Sequence, residues 1–386
     1  MRRRRWRCGR AGRWLGLRPC SLLPPSSPQR EGALPEPTAP MAPFWPLWNT
    51  GPIAGFGIHV RSSCSHHMQV IHALEEANLS GPSYITIGAF DGVHRGHQHL
   101  IGSMVKAAHR AGRTAVALTF DPHPGALLGR SPVATLSTVK ERAALLADLG
   151  VDLLAILSFT PAVAGTPAAR FVAALSRHLG LAELWVGPDF ALGHRRAGDI
   201  SFLQRLGKRE GFAVRVVEPL RWRGDVVSST RIRIALTAGD VEEANGCLGR
   251  PYHLMGIVVR GRGLGRTLGV PTANLEPPPG RLIPANGVYA CLVETEREGN
   301  RSAVVNVGVR PTIAADHLTI EAHLLDFDGD LYGQRLGLAF IARLRDEETF
   351  PSLNALVAQM HEDIAQARRI LAAYPDGEGG EGQGRQ

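Results

Sequence analysis

Short apolar runs alternate with helical patterns from Met68 to about Gly246, and after Arg250 the helical patterns stop. This change of rhythm limits the fold more than any other feature of the chain. The runs are YITIG (84–88), TAVALTF (114–120), VDLLAIL (151–157), ELWVG (183–187) and FAVRVVE (212–218). Between them lie HLIGSMVKAAHRAG, VKERAALLADLG, AARFVAALSRHLG and ISFLQRLGKREG, whose apolar residues fall mostly three and four apart and which mostly end in Gly. Such alternation, at a spacing of roughly thirty residues, predicts a parallel sheet covered by helices. After Arg250 come the strand-like stretches HLMGIVVR, GVYACLVETE, SAVVNVGV, LTIEAHLLDF and RLGLAFIARLR, separated by Gly, Pro and Asp turns, and these predict an antiparallel sheet or small barrel. One amphipathic helix should close the chain. Leu353, Leu356, Val357, Met360, Ile364, Ala367 and Ile370 would share its face, with Ser352 as N-cap. The expected domains are therefore 68–246 and 250–374, with a disordered tail at 375–386.

Charge decides what the chain does not bind. The formal net charge is +8, and residues 1–67, with ten Arg and two Glu, carry all of it. The other 319 residues have 33 basic and 33 acidic side chains, so neither nucleic acid nor a membrane is an expected partner. The leader lacks a helical or strand period and contains no apolar stretch that could serve as a transmembrane span or signal-peptide core. A misplaced start accounts for it most simply, and a transit peptide is the alternative. Three of the five cysteines lie in the leader, and the remaining two, Cys247 and Cys291, are isolated, so a reducing cytoplasm is expected. A homo-oligomer is compatible with the sequence.

The first chemistry-bearing stretch is GAFDGVHRGH (88–97), directly after the first strand. Ligands of open α/β sheets lie beyond the carboxyl ends of the strands, where a helix N-terminus offers free N–H groups to an anion and glycines let backbone approach it. His94 and His97 flank Gly96 at that helix start, and their imidazole N–H groups could stabilise charge on a phosphoryl group; such a pair also often caps or packs a helix end. The motif resembles the HxGH signature of the nucleotidyltransferase superfamily, which grips a nucleoside triphosphate without a covalent enzyme intermediate. A second element, SSTRIR (228–233), opens a helix, and its hydroxyls and Arg231 suit β- and γ-phosphates; alone it would read as a capped helix with a solvated Arg. The resemblance assigns ATP-phosphate binding to Gly88, Phe90, Asp91, Gly96, Ser228, Ser229 and Thr230, and catalysis to His94, His97 and Arg231. TFDPHP (119–124) and VGPDFALGHRRAGD (186–199) resemble the flavin-adenylylating branch, which places His123, Asp189 and Phe190 at a flavin-nucleotide site, although Leu192 stands where that branch usually has Phe.

The second stretch is GRGLGRTLGVPTANL (261–275), which lacks the lysine of a phosphate-binding P-loop and would read by itself as a glycine-rich surface loop. Within it Thr272 and Asn274 offer two uncharged oxygens on one side of an extended chain, a set that suits Mg²⁺ bridging to nucleotide phosphates. The stretch resembles the riboflavin kinase family, a six-stranded barrel in which the Thr and Asn of PTAN hold Mg·ATP. The match continues through GVYA (287–290), VNVGVRPT (305–312) and IEAHLLDFDGDLYG (320–333), and it places Gly265 at the ATP phosphates. Glu321 lies in an alternating strand, where a lone Glu is usually solvated; by the resemblance it is the general base that takes the proton of the riboflavin 5′-hydroxyl. Both motif sets, in this order over residues 68–374, resemble the bifunctional bacterial riboflavin kinase/FAD synthetase family. Membership implies an N-terminal Rossmann-like nucleotidyltransferase domain with a parallel sheet, a C-terminal six-stranded antiparallel β-barrel with a terminal helix, and riboflavin, FMN and ATP as partners with Mg²⁺ as cofactor.

Overall fold

The computed structural model describes residues 67–128, 133–261, 265, 268–295, 299–311 and 316–374. Except for His67, the leader and the tail lie outside the described residues. The first region is a six-stranded sheet of β1 (Gln69–Ile71), β2 (Ser83–Ile87), β3 (Thr114–Asp121), β4 (Leu153–Ser158), β5 (Leu181–Val186) and, after the two-residue strands β6 (Ala191–Leu192) and β7 (Gly198–Asp199), β8 (Ala213–Val216). Every pair in it is parallel and the order is β1-β4-β3-β2-β5-β8. The five apolar runs all form strands. The edge strand β1 has no counterpart among them, because three residues with two exposed carry no period.

From β2 the chain winds outward through β3 to β4, then returns to the other side of β2 with β5 and continues to β8. The winding thus reverses between β2 and β5, and a crevice opens at their carboxyl ends. Helices α1 (Arg95–Arg110), α2 (Pro124–Leu128), α3 (Val139–Asp148), α4 (Pro161–Ala164), α5 (Ala168–Leu179) and α6 (Ile200–Glu210) fill the crossovers. Ile101, Met104, Val105 and Ala108 of α1 recur at helical spacing and pack with Ala115, Ala117, Leu154 and Ile156 on one face of the sheet. Val172, Leu175 and Leu179 of α5 cover Ile85, Val116, Leu118 and Leu184 on the other.

A hairpin of β9 (Arg221–Trp222) and β10 (Asp225–Val226) leads to α7 (Ser229–Ala238) and α8 (Val241–Leu248), and then to the barrel. Its strands are β11 (Tyr252–Val259), β12 (Ala273–Glu276), β13 (Gly287–Thr295), β14 (Gly299–Pro311), β15 (Asp316–Leu324) and β16 (Arg335–Arg345), closed in the order β11-β12-β15-β14-β13-β16. Tyr252, Leu254, Tyr289, Cys291, Val305, Val307, Leu338 and Phe340 alternate into its interior, and that core runs without a break into Ile232, Leu236, Ala244 and Leu248 of α7 and α8. Helix α9 (Leu353–Leu371) starts at Ser352, whose hydroxyl accepts the Ala355 N–H, and packs Ala367 and Leu371 onto Ala290, Leu292, Ala339 and Ile341. The expected apolar face holds only in part: Leu353 is 61% exposed, and Leu356, Met360 and Ile364 line a cavity described below.

Asn245 ties α8 to the barrel. Its amide donates to the Phe340 carbonyl at 2.8 Å, and its side-chain oxygen accepts the Tyr252 N–H at 2.7 Å. Asn245→Ala leaves a buried N–H and a buried C=O unpaired, each costing about 1–3 kcal/mol, so a loss of about 2–6 kcal/mol is expected. Denaturant unfolding checks this, and an unchanged midpoint would remove Asn245 as the tie.

Candidate functional sites

The loop after β2 is held in a conformation that its residues do not prefer. Phe90 and Val93 sit at φ of 47° and 38°, and of the three left-handed residues in the loop only Gly92 is there without strain. The geometry is fixed from outside. The Asp91 side chain is buried and accepts the N–H groups of Leu136 and Ser137 at 3.0 Å, while its other bonds go to the Ser137 hydroxyl and to the guanidinium of Arg233. Gly92 N–H donates to the Ser137 hydroxyl at 2.8 Å. Behind the loop, buried Arg142 donates to the carbonyl of Ala89 at 2.6 Å and to the Thr119 hydroxyl at 3.0 Å. A Cβ on Gly88 would lie 2.8 Å from the Phe90 ring, so that close approach requires glycine.

This loop delivers His94 as the N-cap of α1, with its Nδ1 accepting the His97 N–H at 3.3 Å. The neutral ring therefore carries its proton on Nε2. His97 stacks on His94 with ring centroids 3.6 Å apart, and Phe90 meets the His97 ring edge-on at 5.3 Å. Burial pushes the pKa of His94 down to about 4, the Asp91 charge opposing and Arg250 and Arg233 adding to the fall. Burial, then the charges of His94 and Arg142, push His97 well below its ordinary value. Both imidazoles are neutral at pH 7.

The second motif comes to the same place. A Cβ on Gly96 would lie 3.4 Å from the Val227 carbonyl, and the Ser229 hydroxyl donates to the Asp91 carbonyl at 3.1 Å, so the N-termini of α1 and α7 adjoin. Two helix N-termini at one crevice make an anion site. Ser228 caps α7 by accepting the Arg231 N–H, and Thr230 is exposed. Arg231 is engaged elsewhere: it donates to the carbonyls of Trp222 and Asp225 and pairs with Glu243. The arginine bound to the loop is Arg233.

The residues expected at a flavin site, His123, Asp189 and Phe190, follow strands at the same carboxyl edge of the sheet. His123 follows β3, its Nδ1 accepting the Gly125 N–H at 3.0 Å; burial lowers its pKa, and the charges of Asp91, Arg233 and Arg142 reach it. Asp189 and Phe190 follow β5. Asp189 is exposed, with its carbonyl bound by Arg196 at 2.7 Å, and Phe190 packs on the core that holds buried Leu192, so the smaller residue at 192 leaves the local core filled.

In the barrel, a cavity of about 310 Å³ gathers the predicted residues. Asn274 on β12 and Asn306 on β14 are both register partners of Glu321 on β15, and the Thr272 hydroxyl lies 3.4 Å from the Glu321 carboxylate. A Cβ on Gly261 would fall 2.2 Å from the Asn274 amide, and one on Gly265 would fall 2.3 Å from the Val270 carbonyl, so both glycines permit backbone to close over the Thr–Asn pair. The far wall is Arg345, which forks onto buried Asp363 of α9 at 2.8–3.2 Å and stacks over Phe350. Nothing in the sequence signalled Arg142, Arg250 or the Arg345–Asp363 pair, since each acts through a partner distant in the chain, and the SSTRIR motif pointed to Arg231 rather than to Arg233.

A family model described as FAD synthetase matches residues 76–231, and one described as riboflavin kinase matches residues 248–371. The bifunctional riboflavin kinase/FMN adenylyltransferase of Pseudomonas fluorescens is 40% identical over 74% of this chain and 92% of its own. That of Escherichia coli K12 is 36% identical over 78% and 96%, and that of Bacillus subtilis is 32% identical over 79% and 99%. A solved structure from Streptococcus pneumoniae, described as a macrolide-efflux protein, superposes with a TM-score of 0.72 at 31% identity, covering 78% of this chain and 98% of that one. Among the described residues of this chain, no helix is long and apolar enough to cross a membrane.

The neutral histidines make stability depend on pH. The unfolded chain binds protons at these positions near the ordinary value of 6.5, whereas native His94 binds one only near pH 4. Their contribution is therefore complete above about pH 6.5 and falls as pH drops towards 4, by about 3 kcal/mol for His94 alone. Denaturant midpoints across pH 7.5 to 4.5 test this. The slope should be shallower in His94→Asn, and equal slopes in the two proteins would refute it.

Proposed function

The chain belongs to the bifunctional riboflavin kinase/FMN adenylyltransferase family and carries both activities with ATP as co-substrate; on that premise we propose that residues 68–246 hold the adenylyl-transfer site and residues 250–374 the kinase site. The observation that carries the first assignment is the meeting of two helix N-termini around a stacked pair of neutral imidazoles. Adenylyl transfer joins an FMN phosphate oxygen to the α-phosphorus of ATP and releases pyrophosphate. The N–H groups of α1 and α7 face the growing negative charge, and His94 Nε2–H and His97 add donors to it. Preorganised neutral donors of this kind need no reorganisation when the charge moves. The carboxylate of Asp91 holds the loop rather than the phosphates, which it would repel. Arg231 reaches the leaving pyrophosphate only by exchanging Glu243 for it. His123, Asp189 and Phe190, beyond the strands on either side of β2, are the proposed contacts for FMN.

In the barrel, Glu321 accepts the proton of the riboflavin 5′-hydroxyl as that oxygen attacks the γ-phosphorus and ADP leaves. The half-buried face of α9, with Leu356, Met360 and Ile364, supplies an apolar wall suited to the flavin rings. The residues present fit Mg²⁺: Thr272 and Asn274 contribute two neutral hard oxygens, Gly261 and Gly265 leave room above them, and most of the ion's ligands would be phosphate oxygens and water. When bound, the ion would neutralise phosphate charge. Cys247 and Cys291 are free and buried, which supports the proposal of a reducing, cytoplasmic setting.

Each site should fail alone. His97→Ala is expected to lower FAD formation from supplied FMN about 10²–10³-fold while riboflavin is still phosphorylated. Chromatographic separation of FMN from FAD reads both steps, and wild-type FAD formation would overturn the first assignment. Glu321→Gln should give the opposite result, with about 10²–10⁴-fold less FMN from riboflavin and unimpaired adenylylation of added FMN. Asn274→Ala is expected to match it, with an Mg²⁺ requirement shifted to higher concentration. Full kinase activity in Glu321→Gln would return Glu321 to the status of a solvated strand residue.

A further inference from the structure

Arg250 follows α8, in the segment matched by the riboflavin kinase family model. Its guanidinium nonetheless reaches across to the loop of the other site. Nη2 donates to the Gly92 carbonyl at 2.7 Å and Nη1 to the Val93 carbonyl at 3.3 Å, the two carbonyls immediately before His94. We propose that Arg250 is a positioning residue for adenylyl transfer, so that the loop presenting His94 and His97 is completed by a residue from the kinase side of the chain.

The geometry carries this in three ways. The left-handed turn at Phe90–Val93 brings two adjacent carbonyls to one guanidinium, and the planar fork of Arg can bridge both of them where a lysine has only a point charge. A Gly92 carbonyl left free beside a phosphate site would repel the nucleotide, and Arg250 occupies that oxygen. The same α8–β11 connection also braces the first turn of α1 at two more points. Gln98 donates both to the Val93 carbonyl at 2.8 Å and to the Leu248 carbonyl at 2.9 Å, and Arg95 donates to the Gly246 carbonyl at 3.4 Å while stacking over Trp222. A Cβ on Gly249 would lie 3.0 Å from the Arg95 side chain, and Gly249 itself is left-handed at φ 75°, so the connection fits against α1 only with glycine there. Burial lowers the pKa of Arg250 to about 10, which leaves it charged at pH 7.

The inference rests on the proposed adenylyl-transfer site, and its test separates the two. Arg250→Met and Arg250→Lys are made in the full chain, with His97→Ala as a control, and each preparation is assayed for FAD from FMN and ATP and for FMN from riboflavin and ATP. Loosening the loop by about an ångström should cost on the order of 10²-fold in kcat for FAD formation in Arg250→Met. KM for FMN should stay near wild type and riboflavin phosphorylation within twofold. Arg250→Lys keeps the charge and one carbonyl contact and should recover about tenfold of the loss. Adenylylation by Arg250→Met within threefold of wild type overturns the proposal. So does a proportional loss of both activities, which would make Arg250 a support of the whole fold. Unimpaired FAD formation in His97→Ala would instead remove the site that Arg250 is argued to position, and the proposal with it.

Discussion

The buried carboxylate of Asp91 is the constraint on which the first site depends. It joins residues far apart in the sequence: two backbone N–H groups at Leu136 and Ser137, and the guanidinium of Arg233 on α7. Burying an ion pair costs several kcal/mol of desolvation, and the pair is retained only if good geometry and further hydrogen bonds offset that cost. Here the backbone N–H groups and the Ser137 hydroxyl occupy the carboxylate lone pairs that Arg233 leaves. What the arrangement secures is a shape. Phe90 and Val93 would relax out of the left-handed region if nothing held the loop, and His94 would then lose its place at the head of α1.

The two proposed sites offer phosphate charge opposite kinds of surroundings. At the sheet lie helix N-termini and imidazoles kept neutral by burial, while the cations Arg142, Arg233 and Arg250 are bound to loop carbonyls or to Asp91. Those cations still lower the histidine pKa values and add a positive field around the crevice. In the barrel, the groups are a carboxylate and two neutral oxygens on neighbouring strands, brought side by side by antiparallel register. A one-residue slip between β12 and β15 would turn Thr272 and Asn274 to the opposite face, so strand register has for this site the importance that the strained loop has for the other.

Legibility followed the range of the interaction. Five of the six strands of the sheet, the caps at His94, Ser228 and Ser352, and the pairing of Thr272 with Asn274 are local, and periodicity or spacing shows them. Strand β1 is too short to have a period, and α8, although it begins at the capping residue Asp240, has polar residues that make sense only once Asn245 is seen between β11 and β16. The motif SSTRIR shows the limit most clearly. Arg231 and Arg233 are two residues apart on a helix and so point to different sides, and the motif cannot say which one serves the loop. Their partners decide it: Glu243 lies one helix later, whereas Asp91 lies 142 residues earlier in the chain. Leu353 fails in the other direction, apolar and in phase yet exposed, because the helix extends past the barrel surface that it covers.

Chemically the two sites are separate, but mechanically they are not. Helices α7 and α8 belong to both regions: Ser229 and Arg233 of α7 bind the loop at Asp91, while Ile232 and Leu236 on another face of the same helix enter the core shared with Tyr252 and Phe340 of the barrel. A continuous close-packed core transmits displacement rather than absorbing it. Movement of α7 against the barrel must therefore pull on Asp91, and through it on the conformation of Phe90 and Val93. The strain in that loop is balanced by contacts whose other ends lie in α7 and at the barrel entrance, so the geometry of the site proposed for adenylyl transfer depends on the packing of the barrel, where the other reaction is proposed to occur.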